Sequence, residues 1–210
     1  MLFSAPMVRA LLDGTKTQTR RIIKNASGAF WAHAGWTPAI ERSPSWPTFD
    51  QVVFNDTGGH VRHYSSTKIP YFVGDRLWVK EAIRHVGGGQ SVYIADLTPT
   101  VADAWPWKPK ALPGMFCPRG LSRITLDVTD VRVQRVQEID EYDSLAEGIQ
   151  EVPRCGCDVC RMSSGMCPAD AGEQIKQYAE LWDHINGKRP RAAWADNPWV
   201  WAISFKRVKP

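Results

Sequence analysis

Between Arg123 and Val133 polar and apolar residues alternate almost residue by residue: Arg123-Ile124-Thr125-Leu126-Asp127-Val128-Thr129-Asp130-Val131-Arg132-Val133. A period of two puts alternate side chains on opposite faces of a strand, so one face is buried and the other wet. No helix satisfies that pattern. A half-buried strand of this length requires a sheet around it, and the rest of the chain must supply the partners.

The segment Gly74-Asp75-Arg76-Leu77-Trp78-Val79-Lys80-Glu81 reads as a turn and a strand, Ser91-Val92-Tyr93-Ile94-Ala95 as a second, and Trp199-Val200-Trp201-Ala202-Ile203-Ser204-Phe205 as a closing strand. At the start, Met7, Val8, Leu11 and Leu12 fall at helical spacing, with Ser4 placed as N-cap, Pro6 in the first turn and Gly14 as the stop. The β-branched stretch from Thr15 to Ile23 then reads as extended. Asp140 to Ile149 forms a short helix. Gly172 to Asn186 forms a longer one, with Ile175, Tyr178, Leu181, Trp182 and Ile185 on one face. Residues 25–68 and 96–114, rich in Gly, Ser, Pro and Trp, keep no period and read as insertions, the first with room for one hairpin.

The order of these elements lacks the strand-helix alternation of a doubly wound sheet, so the expected class is α+β, a small β-barrel with flanking helices. The 210 residues suit one domain spanning 1–210 with insertions. No apolar run approaches the roughly 20 residues of a membrane span. The first residues lack the apolar stretch of a secretory signal, so a cytoplasmic location is expected. A net charge of +4 permits phosphate contact without demanding it.

Four of the five cysteines, Cys155, Cys157, Cys160 and Cys167, lie in one loop at 153–170. Four thiolates so close together can surround Zn²⁺ tetrahedrally and leave no open position for water, which describes a structural site. Reduced thiols and disulfides are the alternatives. Cys117 reads as a small buried residue.

The run Gly14-Thr15-Lys16-Thr17-Gln18-Thr19-Arg20-Arg21, followed in order by Val73-Gly74-Asp75-Arg76-Leu77-Trp78-Val79-Lys80-Glu81, Pro118-Arg119 through Ile124, and Ala146-Glu147-Gly148-Ile149, resembles the ASCH family, particularly its phage and prophage members. The tail from Leu181 to Arg189 and Asn197-Pro198-Trp199-Val200-Trp201 resembles the same subfamily. The two insertions lie outside it. The resemblance implies a PUA-like barrel and a cleft that handles RNA, DNA or a modified nucleoside.

Small bacterial members of that family are amidohydrolases that deacylate modified cytidine with a Lys, a Thr and a Glu, which fall here on Lys16, Thr19 and Glu147. A hydroxyl can attack an amide carbonyl if an amine accepts its proton, and a carboxyl can protonate the leaving nitrogen. For Lys16 to serve as base, burial or a nearby cation such as Arg20 or Arg21 must lower its proton affinity. Strand parity separates Lys16 from Thr19, so the chemistry requires an irregular turn after Gly14. The competing reading pairs Lys16 and Arg20 with phosphate or with Glu147. A binding cleft would combine Arg20, Arg21, Lys24, Arg119 and Arg123 with Trp78, while Trp78, Trp182, Trp199 and Trp201 also read as core residues at strand or helix spacing.

Three functions follow as expectations: nucleic-acid or nucleoside binding first, then a hydrolase on acylated pyrimidine nucleosides or a ribonuclease, and then a phage-encoded module that docks on a host protein.

Overall fold

A computed structural model of the chain describes residues 1–23, 37–42, 50–55, 61–65, 70–87, 90–100, 105–150 and 172–208, the three segments between 37 and 65 by backbone alone. Lys24 and the four cysteines of the 153–170 loop lie outside the described residues. The fold is mixed α+β, with antiparallel sheets and a few helices.

In chain order the elements are α1 (Ala5–Asp13), β1 (Gln18–Ile22), β2 (Thr37–Arg42), β3 (Asp50–Asn55), β4 (Val61–Ser65), β5 (Arg76–Trp78), β6 (Ile83–Gly87), β7 (Gln90–Tyr93), β8 (Ala111–Leu112), β9 (Thr125–Arg135), α2 (Glu141–Ala146), α3 (Glu173–Asn186) and β10 (Trp199–Val208). The strands form sheets of order β1-β10-β9-β5, β2-β3-β4 and β7-β6-β8. Residues Met1–Thr17, Val73–Asp130 and Ser204–Pro210 make one compact unit, and Gln18–Phe72 with Val131–Ile203 make the other. The strands β9 and β10 contribute residues to both.

In the first unit α1 stops where expected: Gly14 adopts the left-handed conformation (φ 81°) and its N–H caps the Leu11 carbonyl. Ser4 is the N-cap by backbone, without a side-chain cap bond. The chain then runs irregularly through residues 15–17 before β1, which is the break in strand geometry that Lys16 required. In β9 the even-numbered Leu126 and Val128 are buried, as the alternation demands. A second core gathers Ile83, Tyr93 and Leu112, with Trp105, Trp107 and Leu121 packed against them.

The second unit is built on Val136, Ile139, Tyr178, Trp182 and Val200, joined by Ile22, Ile149, Ile175 and Trp194. Trp182, Trp199 and Trp201 are core residues, and Trp78 is half-buried. Two expectations need correction. The buried stripe of α3 is Gln174, Tyr178, Trp182 and Asn186, an i, i+4 row, while Ile185 is 42% exposed. The expected face holds at Tyr178 and Trp182 and at Ile175, which packs on the same core, and fails at Ile185, because the stripe runs on through two amides that hydrophobicity does not mark. The first insertion carries the antiparallel three-stranded sheet β2-β3-β4 rather than one hairpin. Strands of five or six residues there are too short to emerge as a period from a segment so rich in turn formers.

Candidate functional site

The polar centre of the second unit begins on β1. Gln18, Thr19 and Arg20 are successive, polar and at most 4% exposed, so this strand buries polar groups on both faces. Parity sends Gln18 and Arg20 to one face and Thr19 to the other. The Gln18–Arg20 face meets α2, whose start is fixed by Asp140: its carboxylate accepts from the Asp143 N–H at 2.7 Å. This cap sets Asp143 inside the helix and Glu147 at its C-terminal end, four residues on.

Arg20 joins the two. Its guanidinium, fully buried, donates to Asp143 at 2.5 Å, to Glu147 at 3.3 Å and to the Gln18 amide oxygen at 2.6 Å. The Gln18 amide nitrogen donates to Asp143 at 3.0 Å, and Arg132 reaches the same carboxylate at 3.2 Å. The guanidinium also lies 5.8 Å from the Tyr178 ring centroid. Burial raises the Asp143 carboxyl's proton affinity, but the charge of Arg20 and the hydrogen bonds from Gln18 and Arg20 outweigh it and hold the group below its ordinary value. Burial, reinforced by Glu147, pushes the Tyr178 phenol well above its own. Burial also lowers the neighbouring Arg21, against the opposing charge of Glu147. Arg20 Nε and Gln174 Oε1 are among the buried polar atoms of this unit that lack a hydrogen-bond partner among the described residues.

The structure thus brings Arg20 and Glu147 into contact and leaves Thr19, 4% exposed, on the opposite face of β1. Lys16 belongs to the first unit. It is 2% exposed, its N–H is held by the Ala10 carbonyl, and its amine lies 5.8 Å from the Phe3 ring centroid. Sequence reasoning missed Gln18, Asp143 and Tyr178. The i, i+4 carboxylates of α2 and the Gln-x-Arg spacing of β1 were the signals that could have found them.

The remaining candidates lie in the first unit. Arg123 clamps the buried Glu81 with contacts of 2.8 Å and 3.1 Å, takes Asp96 at 2.8 Å, and sits 4.0 Å from the Tyr93 ring centroid. The Arg123 hydrogen bond holds Asp96 down at about 2. Burial lowers Arg123 itself, but Glu81 and Asp96 more than reverse this and raise it above its ordinary value. Trp78 carries the Lys80 amine 5.0 Å from its ring centroid. Arg119 is exposed on a single 3-10 turn, Arg119–Leu121. Cys117 is buried as expected, and burial pushes its thiol up, away from a reactive thiolate. Among the described residues no helix is long and apolar enough to cross a membrane.

No family model, curated protein or solved structure matches this chain.

Proposed function

We propose that the chain binds a nucleic acid or a modified nucleoside, and that the polar centre built on Gln18, Arg20, Asp143 and Glu147 reads the base. The observation that supports this is the buried Arg20, fixed by two carboxylates and an amide while its Nε has no partner among the described residues. Burying three charges is costly, and such a network can be replaced by apolar packing without loss of stability. A rigid array of donors and acceptors suits recognition of a polar, planar ligand. The resemblance to ASCH proteins points the same way, with a PUA-like barrel as the fold.

A second reading, hydrolysis of an N4-acylated pyrimidine nucleoside, rests on the resemblance, which maps the family's Lys, Thr and Glu onto Lys16, Thr19 and Glu147. Lys16 would act as base, Thr19 as nucleophile and Glu147 as acid. Titration calorimetry with cytidine, uridine and N4-acetylcytidine at low salt tests the first reading: binding that weakens at least about tenfold in Glu147→Gln is expected, the loss of a hydrogen bond to a charged group. Failure to bind any nucleoside, RNA or DNA would sink it. Release of acetate from N4-acetylcytidine, abolished by Lys16→Ala and by Glu147→Ala, would establish the second, and turnover surviving both substitutions would remove it.

A further inference from the structure

The net positive charge is unevenly placed. The first unit carries twelve Lys and Arg against seven Asp and Glu, a net charge of +5, and the second fourteen against fifteen, a net of −1. Within the first unit Glu81 and Asp96 are both taken up by Arg123. Arg84, Lys108, Lys110 and Arg119 are exposed and have no ion-pair partner among the described residues.

All four cations belong to segments that pack one aromatic group, Arg84 through β6 itself. The His85 and Trp105 rings stack at 5.8 Å with 27° between their planes, and Trp107 meets Trp105 edge-on at 4.8 Å. All three residues are half-buried. The ladder between β6 and β8 pairs Ile83 with Leu112 and Arg84 with Ala111, and the His85 N–H continues it to the Lys110 carbonyl at 2.8 Å. Directly paired residues project to the same side of a sheet, so Lys110 lies on the His85 face and Arg84 on the opposite one. The Trp105 indole N–H donates to the Pro109 carbonyl at 2.9 Å, which pins the loop that carries Lys108. Leu121, which closes the turn bearing Arg119, packs in the same cluster as Trp105 and Trp107.

We propose that this face, His85, Trp105 and Trp107 with Lys108, Lys110 and Arg119, is a binding surface for single-stranded nucleic acid. The exposed parts of these rings offer stacking area to unpaired bases, and the uncompensated Lys108, Lys110 and Arg119 beside them bind the phosphates. The order held by the Trp105–Pro109 bond lowers the entropy lost on binding. The surface does not rest on the polar centre of the second unit, and it lies largely within the 96–114 insertion.

The experiment is fluorescence anisotropy of labelled dT and U oligomers of about 12 nucleotides, titrated with the full chain between about 50 and 200 mM salt. Lys108→Ala/Lys110→Ala is expected to reduce the salt slope by about 1.4, the value for two phosphates on a single strand. Trp107→Ala is expected to weaken binding at least about fivefold with the slope unchanged, and Trp107→Phe to restore part of the loss. Arg84→Ala, on the other face, leaves the affinity within about twofold. Should Trp107→Ala fail to fold, the exposed lysine pair carries the test, since its side chains leave the core intact. No binding at low salt, a slope unmoved by the lysine substitutions, or equal displacement by poly-glutamate and by unlabelled oligomer overturns the proposal. Oligomer binding that survives Glu147→Gln while nucleoside binding is lost separates this surface from the polar centre.

Discussion

Arg20→Met keeps an apolar stem of similar length and deletes the charge facing Asp143 and Glu147. The Arg20 side chain is 0% exposed and that of Glu147 5%, so water cannot replace the lost Arg20 contact at Glu147. Removing one member of a buried pair costs about 3–5 kcal/mol. Asp143 is 15% exposed and keeps Gln18 and Arg132, which places the loss near the lower bound, about 3 kcal/mol. For a chain of this size that corresponds to a fall in Tm of about 6–12 °C. Urea unfolding followed by far-ultraviolet circular dichroism and by tryptophan fluorescence measures it, and coincidence of the two curves establishes whether the two compact units unfold together. The pH dependence adds a sign. Asp143 is held below its ordinary value in the folded chain, so it stabilises above the unfolded value of about 3.9 and loses that contribution as pH falls through its folded value. Without Arg20 much of that depression goes, so the cost of the substitution is largest near neutrality and shrinks below about pH 4. A loss under about 1 kcal/mol at neutral pH, the range of an exposed ion pair, or one that is the same at acid and neutral pH would refute the reasoning.

Asp96 should titrate at about 2 in carboxyl-resolved NMR and return to the ordinary aspartate range in Arg123→Ala; its stabilising contribution is present above about pH 4 and lost as pH falls toward about 2. An unshifted Asp96 in the parent chain would contradict the clamp. A Cβ added at Gly114 would lie 3.3 Å from backbone atoms of both Glu81 and Ala82, which cannot swing aside as the exposed Leu2 side chain at 2.8 Å can, whereas at Gly120 it would meet nothing within 4 Å. Gly114→Ala is therefore expected to cost about 1–3 kcal/mol in urea unfolding and Gly120→Ala under about 0.5 kcal/mol, and equal losses would count against the packing. From the cysteine spacing alone, elemental analysis of the purified chain is expected to give about one zinc per chain, reduced in Cys157→Ser; a zinc-free chain would dispose of that reading.

The elements most legible in the sequence were those fixed by a local pattern. The alternation around Leu126 and Val128 needed no partner to be read as a strand, and Gly14 marked the end of α1 because its φ of 81° is costly for other residues. The β2-β3-β4 sheet was not legible as three strands, and the α3 stripe was legible only at Tyr178 and Trp182. In the latter Gln174 and Asn186 are buried while Ile185 faces water, a choice made by the surfaces around the helix. Lys16, Thr19, Arg20 and Glu147 stood out as residues, yet spacing could not say which would meet.

What the sequence determined by itself is the set of charged and polar groups available, the class of fold, and the break in geometry between Gly14 and β1. These follow from local propensity and periodicity, which act over a few residues. What the tertiary structure decided is the pairing. Arg20 is bound to Asp143 and Glu147, more than 120 residues away in sequence, and Arg123 is spent on Glu81 and Asp96. A charge takes the partner that burial brings within about 4 Å. That distance is set by how β1 packs on α2 and by where β5, β7 and β9 place Glu81, Asp96 and Arg123.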